Sequence, residues 1–269
     1  MARTEVRTLA VMFPIRDHNP SRRVPFVTWS LIGLNVLVFL WYWGQLPDPR
    51  ALALFFQQWG MVPARLSAGE GAATLVTHQF LHAGYLHLGM NMLFLYIFGD
   101  NMEDEWGHLR FLGFYLACGV AAAGLQYMAA PGSMIPMVGA SGAVAGVLGG
   151  YVLMFPRARV DIFIFLIVII RILPFPAWFV LGLWFLLQLL GGVSAPVDAG
   201  GVAYWAHAGG FAAGALLTLP LWLLRGGPRF WKRTSGAPPH PGTSYRLGRS
   251  HVPRTGRRRN APPRGPWSR

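Results

Sequence analysis

Long apolar stretches, most of them close to the length of a membrane-spanning helix, alternate with polar stretches over most of this chain. A helix that crosses the hydrocarbon core of a bilayer takes about 20 mostly apolar residues. Six stretches are predicted to be spans, at roughly Val27 to Trp43, Leu86 to Met102, Phe111 to Met128, Ser141 to Phe155, Pro176 to Leu190 and Tyr204 to Leu224. The pattern therefore predicts an all-α, polytopic membrane protein with six transmembrane helices.

One apolar run, Ile162 to Ile170, is too short to count as a seventh span. Its nine residues would cover only about 14 Å as a helix, whereas a bilayer core is about 30 Å thick. Arg171, Pro174 and Pro176 then interrupt the pattern. We expect this run to lie at the membrane interface or to pack as a broken helix.

Composition and charge agree with a membrane location. The chain is 54% hydrophobic and only 12% charged, which excludes an ordinary soluble domain. Its net charge of +13 comes mainly from basic residues before the first span and after the last one. Because cytoplasmic loops of membrane proteins carry an excess of Lys and Arg, both termini are predicted to be cytoplasmic.

Three regions follow from this pattern: a cytoplasmic N-terminal segment (1–26), a six-span region (27–224) and a basic cytoplasmic tail (225–269). The tail is rich in Pro, Gly, Ser and Arg and is predicted to be disordered. A nucleic-acid-binding arm is the alternative interpretation of its charge. Basic residues beside a last span more often set topology, so we expect a lipid bilayer and no nucleic acid as partner. Cys118 is the only cysteine, which excludes an intramolecular disulfide.

Four polar residues share one depth in this topology. With the N-terminus inside, the second, fourth and sixth spans all run from the outer to the inner face. Near their outer ends they carry His87 and Asn91, then Ser141, then His207. A seven-span alternative would place His207 roughly 20 Å from Ser141, because a helix rises about 1.5 Å per residue. Only the six-span topology lets the four groups meet, and polar groups inside a membrane are functional by default.

The approach to Ser141 is predicted to be a re-entrant loop. Ser141 to Phe155 gives a helix of only about 22 Å, so its outer end starts below the membrane surface. The Gly/Pro-rich stretch from Pro131 to Ala140 then lies at membrane depth without helical hydrogen bonds. Such a backbone is tolerated where it is buried in protein or faces a water-filled cavity. Ser141 itself would begin a helix, where free backbone N–H groups favour developing negative charge.

Small residues recur every fourth position on the fourth and sixth spans. They are Gly142, Gly146 and Gly150 on the former and Ala206, Gly210 and Gly214 on the latter. Such stripes let the backbones of two membrane helices approach closely. The stripe on the sixth span would carry His207 to its neighbour, although ordinary helix packing also explains glycines of this kind.

With these residues in place, the chain resembles the rhomboid family of intramembrane serine proteases. The matching motifs are Gly-Ala-Ser-Gly at 139–142, His-x-x-x-Asn at 87–91, Ala-His-x-x-Gly-x-x-x-Gly at 206–214, and the residues from Phe80 to His87. Met12 to Pro25 is similar to the N-terminal run of many bacterial members. The resemblance implies a rhomboid-like six-helix bundle in a bacterial cytoplasmic membrane, acting on single-span or multi-span membrane proteins.

The resemblance also implies roles for individual residues. Ser141 would be the nucleophile and His207 its general base, a dyad without a carboxylate. His87 and Asn91, with the backbone N–H of Ser141, would form the oxyanion hole. Supporting roles fall to Gly139, Gly142, Gly210, Gly214 and His82. This chain has Ala73-Thr74 where members often carry Trp-Arg, which puts the rigidity of the first loop in doubt.

The chemistry of the residues agrees with these roles. A serine hydroxyl needs a neighbouring base, and histidine supplies one near neutral pH. No Asp or Glu falls in the outer half of any predicted span, so His207 must be oriented by packing or by an uncharged hydrogen bond. We expect no cofactor and no metal.

Two alternatives stay open. His78, His82, His87 and His207 could form a metal site, but the His-Glu-x-x-His motif typical of zinc hydrolases is absent. A catalytically inactive rhomboid-like protein that binds membrane helices is the other.

Overall fold

Six long helices occupy the six predicted spans. The computed structural model describes residues 10–19, 21–166, 169–196 and 201–237. The six helices are α1 (Phe26–Gln45), α5 (Tyr85–Trp106), α6 (His108–Ala129), α7 (Ser141–Met154), α8 (Ala177–Ser194) and α9 (Tyr204–Leu224). The short helices α2 (Pro49–Trp59), α3 (Pro63–Ser67) and α4 (Thr74–Thr77) fold within the loop between α1 and α5. The predicted helical bundle is therefore confirmed.

Four of these helices are long and apolar enough to cross a membrane by length and composition: α1, α6, α8 and α9. Helix α7 is apolar but has only 14 residues. Helix α5 contains His87, Asn91, Asp100 and Asn101, which lower its mean hydropathy. The helices are consistent with six spans, and the count of six stays a prediction.

Helix α7 lies at the centre of the bundle, with nearly all of its residues buried. It packs most closely against α9, where glycines remove the side chains between the two backbones. A Cβ added at Gly210 would overlap the carbonyl oxygen of Gly142, and one at Gly214 would overlap that of Gly146. The predicted close approach of these two stripes is present, and it sets the helices that carry Ser141 and His207 side by side.

A three-stranded antiparallel sheet accompanies the bundle and was not predicted. Its strands are β1 (Ala10–Asp17), β2 (Arg159–Leu166) and β3 (Ile169–Pro176), in the order β1-β2-β3. The prediction that the run Ile162 to Ile170 forms a broken helix was wrong, because its described residues lie on β2 and β3, which pair antiparallel. Strand β1 supplies hydrogen-bonding partners that the local pattern could not reveal. The prolines fall on β3, an edge strand that tolerates them.

Hydrogen bonds of polar side chains link β1 to β2 and to the helical bundle. Asp161 on β2 accepts hydrogen bonds from Arg16 (Nε to Oδ2, 2.6 Å) and His18 (Nε2 to Oδ1, 2.8 Å). Asp17 accepts one from the hydroxyl of Tyr151 on α7 at 2.9 Å. Burial raises the pKa of Asp17 to about 6. The N-terminal strand is thus linked to the helix that begins at Ser141.

A further helix, α10 (Pro228–Thr234), lies inside the region predicted to be a disordered tail. Gly226 and Gly227, both with positive φ, turn the chain back after α9. The side chain of Phe230 is then buried, and the indole N–H of Trp231 donates to the carbonyl oxygen of Leu153 at 2.9 Å. The prediction of disorder from residue 225 was therefore wrong for α10, since a few aromatic residues can pack despite the basic composition. Residues 238–269 lie outside the described residues.

Candidate active site

Ser141 is the first residue of α7, and the backbone before it is held in an unusual conformation. Gly139 has a φ of 133°, a region that favours glycine. Its N–H donates to the carbonyl oxygen of His78 at 2.9 Å. The N–H of Ala140 points at Nε2 of His82, 3.5 Å away. These contacts fix the direction in which the chain enters the helix, and therefore the position of the Ser141 hydroxyl.

His87 reaches the same place from α5. A Cβ at Gly139 would lie 2.8 Å from Nε2 of His87 and 3.4 Å from Oγ of Ser141. Any side chain at position 139 would therefore collide with the imidazole. Gly139 is required both by its backbone angle and by the close approach of His87 to the segment that carries Ser141.

His207 lies in the first turn of α9, and α8 holds its imidazole on two sides. Nδ1 lies 2.8 Å from Oε1 of Gln188. The indole of Trp184 lies 5.7 Å away between ring centroids, at an angle of 31°. The expectation that an uncharged hydrogen bond orients His207 matches this geometry. Sequence reasoning missed Gln188 itself, although a single amide in an otherwise apolar span was a signal.

One cavity of about 320 Å³ joins the two predicted catalytic residues, since both Ser141 and His207 line it. Its wall also includes Gln126, Val138 and Tyr204. Among the described residues that line this cavity there is no Asp or Glu. No hydrogen bond joins Ser141 to His207 in the described part of the chain. Catalytic hydrogen bonds often form only once substrate is bound.

Asn91 is buried on α5, one turn after His87. Its Nδ2 donates to the carbonyl oxygen of His87 at 2.9 Å. Across the described ranges no hydrogen bond links Asn91 to Ser141. The amide has a second N–H, so the bond within α5 leaves it one donor. The structure thus brings His87 next to the Ser141 segment and places Asn91 one turn beyond it.

His78 and His82 are buried in the loop that leads to α5. Nδ1 of His78 lies 2.7 Å from the carbonyl oxygen of Thr74. Burial lowers the pKa of His78 to about 4 and that of His82 to about 3, so both are neutral near pH 7. Among the described residues, no three His, Cys, Asp or Glu side chains are arranged to hold a metal ion.

The first loop has hydrogen bonds of its own where Ala73-Thr74 replaces the common Trp-Arg pair. Nη1 of Arg65 donates to the carbonyl oxygen of Gln57 at 2.7 Å. The hydroxyl of Thr74 donates to the carbonyl oxygen of Gly71 at 2.6 Å. Together these bonds tie the segment around α3 both to α2 and to α4.

Comparisons with known proteins identify the family of this chain. A family model described as the Rhomboid domain matches residues 70–224. The chain is 33% identical over 144 residues to Rhomboid protein 1, mitochondrial, of Saccharomyces cerevisiae, a match that covers 52% of this chain and 39% of the relative. It is 34% identical over 185 residues to RHOMBOID-like protein 4 of Arabidopsis thaliana, covering 67% and 42%.

A bacterial relative has a similar sequence identity over a shorter match. Rhomboid protease GluP of Bacillus subtilis is 34% identical over 127 residues, which cover 46% of this chain and 24% of the relative. The matches thus span less than half the length of each of these relatives.

Proposed function

This chain belongs to the rhomboid family of intramembrane serine proteases, and on that premise we propose that it is itself an active serine endopeptidase. Its substrates would be single-span or multi-span membrane proteins, cut in or near their transmembrane helices. The observation that carries the proposal is the shared cavity, which both Ser141 and His207 line. The glycine contacts between α7 and α9 hold these two residues on adjoining helices.

In the proposed reaction, an imidazole nitrogen of His207 accepts the proton of the Ser141 hydroxyl. Oγ then attacks the carbonyl carbon of the scissile bond and forms a tetrahedral intermediate. His207 returns the proton to the leaving amine, and the peptide C–N bond breaks. A water molecule, deprotonated in the same way, hydrolyses the acyl-enzyme and frees Ser141.

The negative charge of the intermediate needs donors that are already in place. Its proposed donors are the backbone N–H of Ser141, at the N-terminal end of α7, and the side chains of His87 and Asn91. Helix N-termini carry free N–H groups and a partial positive charge, which suits an oxyanion. The His87 imidazole lies next to Gly139, which supports its role as a donor. Asn91 has one N–H that makes no bond within α5, which supports its role as the second side-chain donor.

The proposal includes a location. The chain is a multi-pass membrane protein, and we place it in a bacterial cytoplasmic membrane with both termini in the cytoplasm. Its basic ends support that orientation. The relatives named above come from mitochondria as well as from bacteria, so the choice of membrane rests on the resemblance of Met12 to Pro25 to bacterial members.

Labelling with a fluorophosphonate tests the proposal directly, because only an activated serine reacts. The purified protein should be labelled and should cleave a model single-span substrate. Ser141→Ala should abolish both, and His207→Ala should do nearly the same. Because the two residues act as a unit, the double variant should be little worse than either single one.

Ser30→Ala, which removes an exposed serine on α1, is the matched control and should keep both activities. Cleavage by Ser141→Ala well above a mock preparation would remove Ser141 from the mechanism. A folded wild-type protein that binds the substrate but takes no label would indicate the inactive helix-binding alternative.

A further inference from the structure

Gln188 is a buried polar residue in a helix that is otherwise almost wholly apolar. The residue is only 8% exposed. Burying an amide without hydrogen bonds is unfavourable. Both ends of this amide are bonded: Nε2 to the carbonyl oxygen of Trp184 at 3.4 Å, and Oε1 to Nδ1 of His207 at 2.8 Å.

The first of these bonds fixes which end of the amide faces His207. A carbonyl oxygen can only accept, so the NH₂ group of Gln188 must point at Trp184. The amide oxygen is then left to face the imidazole. The reverse orientation would set the amide oxygen against the carbonyl oxygen of Trp184 and lose that bond.

An amide oxygen beside Nδ1 also decides where the imidazole carries its proton. Because Oε1 can only accept, Nδ1 must be the protonated nitrogen of the neutral ring. The other nitrogen, Nε2, then carries the lone pair that a general base needs. The indole of Trp184, one turn before Gln188, packs against the same ring and limits its tilt.

From this geometry we infer that Gln188 is the positioning residue of the dyad: it selects the Nδ1–H tautomer of His207 and holds the ring so that Nε2 serves Ser141. The inference rests on the proposed protease function. It gives Gln188 the place that a carboxylate takes in a Ser-His-Asp triad, but without a charge. A neutral partner orients the ring and stabilises the imidazolium less than a carboxylate would.

Two substitutions separate positioning from packing. Gln188→Leu keeps the approximate size and removes the acceptor, so kcat should fall roughly 10- to 100-fold, as for other groups that orient a catalytic side chain, with KM almost unchanged. Gln188→Glu keeps an acceptor on Nδ1 and should retain much of kcat. The acid side of its kcat/KM profile should move to higher pH, because a carboxylate favours the protonated imidazole.

Leu187→Ala is the matched control on α8. Leu187 is adjacent in sequence and largely exposed on the surface of the bundle, so its loss should leave kcat and the pH profile unchanged. A wild-type kcat in Gln188→Leu would overturn the inference. So would equal losses in the Leu and Glu variants with an unshifted pH profile, since a packing role alone would give that result.

The tautomer can also be measured by NMR without any cleavage assay. This test needs only the wild type and Gln188→Leu, so it still works if Gln188→Glu does not fold. In ¹⁵N-histidine-labelled protein, the His207 signals are those lost in His207→Ala. They should show protonated Nδ1 in the wild type and a mixture of tautomers in Gln188→Leu. An Nε2–H tautomer in the wild type would refute the inference. Fluorophosphonate labelling of the wild type separates the two failures: no label refutes the protease, whereas equal labelling rates in wild type and Gln188→Leu refute only the role of Gln188.

Discussion

Asn91 is the residue of the proposed oxyanion hole whose role most needs a test. One of its N–H groups is engaged with the carbonyl oxygen of His87, so only the other can reach an intermediate. Asn91→Ala should lower kcat by roughly 10²- to 10³-fold, as typical for a preorganised donor, with a smaller effect on KM. Steady-state kinetics on a single-span substrate measure this.

Asn35→Ala provides a matched control for that variant. Asn35 is buried on α1 and makes the same type of bond, from Nδ2 to the carbonyl oxygen of Leu31 four residues earlier, at 2.8 Å. Its loss should lower thermal stability and leave kcat unchanged. If both substitutions lowered stability equally and left kcat unchanged, Asn91 would have only a structural role.

Single residues also show how much of the site could be predicted from the sequence. Ser141 and His207 were placed on one site because only one topology brings their helix ends to the same depth, and the shared cavity agrees. Gln188 was missed because its partner is 19 positions away on another helix. Periodicity within a helix says nothing about the angle at which two helices meet. His82 presents the same difficulty, since its contact with Ala140 crosses 58 positions.

The α7–α9 pair determines the geometry of the site through backbone contact. Gly214→Ala should force these helices apart, because the new Cβ would overlap the carbonyl oxygen of Gly146. Overpacking of this kind costs roughly 1–3 kcal/mol of stability. The variant should unfold at a lower temperature and should lose cleavage activity even below that temperature, since the site would be wider.

Gly124→Ala on α6 is the corresponding control, because nothing lies within 4 Å of the position where its Cβ would be. Its melting temperature should stay the same or rise slightly, as alanine favours a helix over glycine. If Gly214→Ala melted and cleaved like Gly124→Ala, the close α7–α9 contact would not matter for the site.

The β2–β3 hairpin shows why one element was misassigned. Short apolar runs do not separate strand from buried helix by periodicity alone. Its length and its β-branched residues, Val160, Ile162 and Ile164, favoured a strand. The decisive interactions come from β1, which no local pattern can include. The six long helices, by contrast, were predicted well because each satisfies its backbone hydrogen bonds within itself.

Over the whole molecule, the N-terminal strand is held by its backbone pairing with β2 and by side-chain hydrogen bonds, two of which Asp161 accepts. Asp161→Ala should loosen the C-terminal end of β1, because Arg16 and His18 both lose their partner there. Trypsin should then cut after Arg16 several-fold faster in the folded protein. Arg171→Gln on β3 alters the charge of the same sheet without touching β1, and its cleavage rate at Arg16 should equal that of the wild type.

Acid should have the same effect on β1 as Asp161→Ala. Hydrogen bonds from Arg16 and His18 hold the pKa of Asp161 below its usual value of 3.8. A lowered pKa in the folded state gives stability that is present above 3.8 and is lost as the pH falls through the folded value. Loosening of β1 should therefore begin below about pH 4 in the wild type, measured as faster cutting within β1 by an acid-stable protease such as pepsin in place of trypsin. An equal acid response in Asp161→Ala would assign it to another group.

The pairing of β1 with β2 also orders events during synthesis. Arg16 and its partner Asp161 are 145 positions apart. At roughly 5–20 residues per second, the ribosome makes the second strand on the order of 10 s after the first. Throughout that interval β1 has an unpaired edge, open to chaperones, proteases or another nascent chain. The sheet closes only after the helix that starts at Ser141 has been translated, so a closed sheet shows that the helix with the proposed nucleophile has already been made.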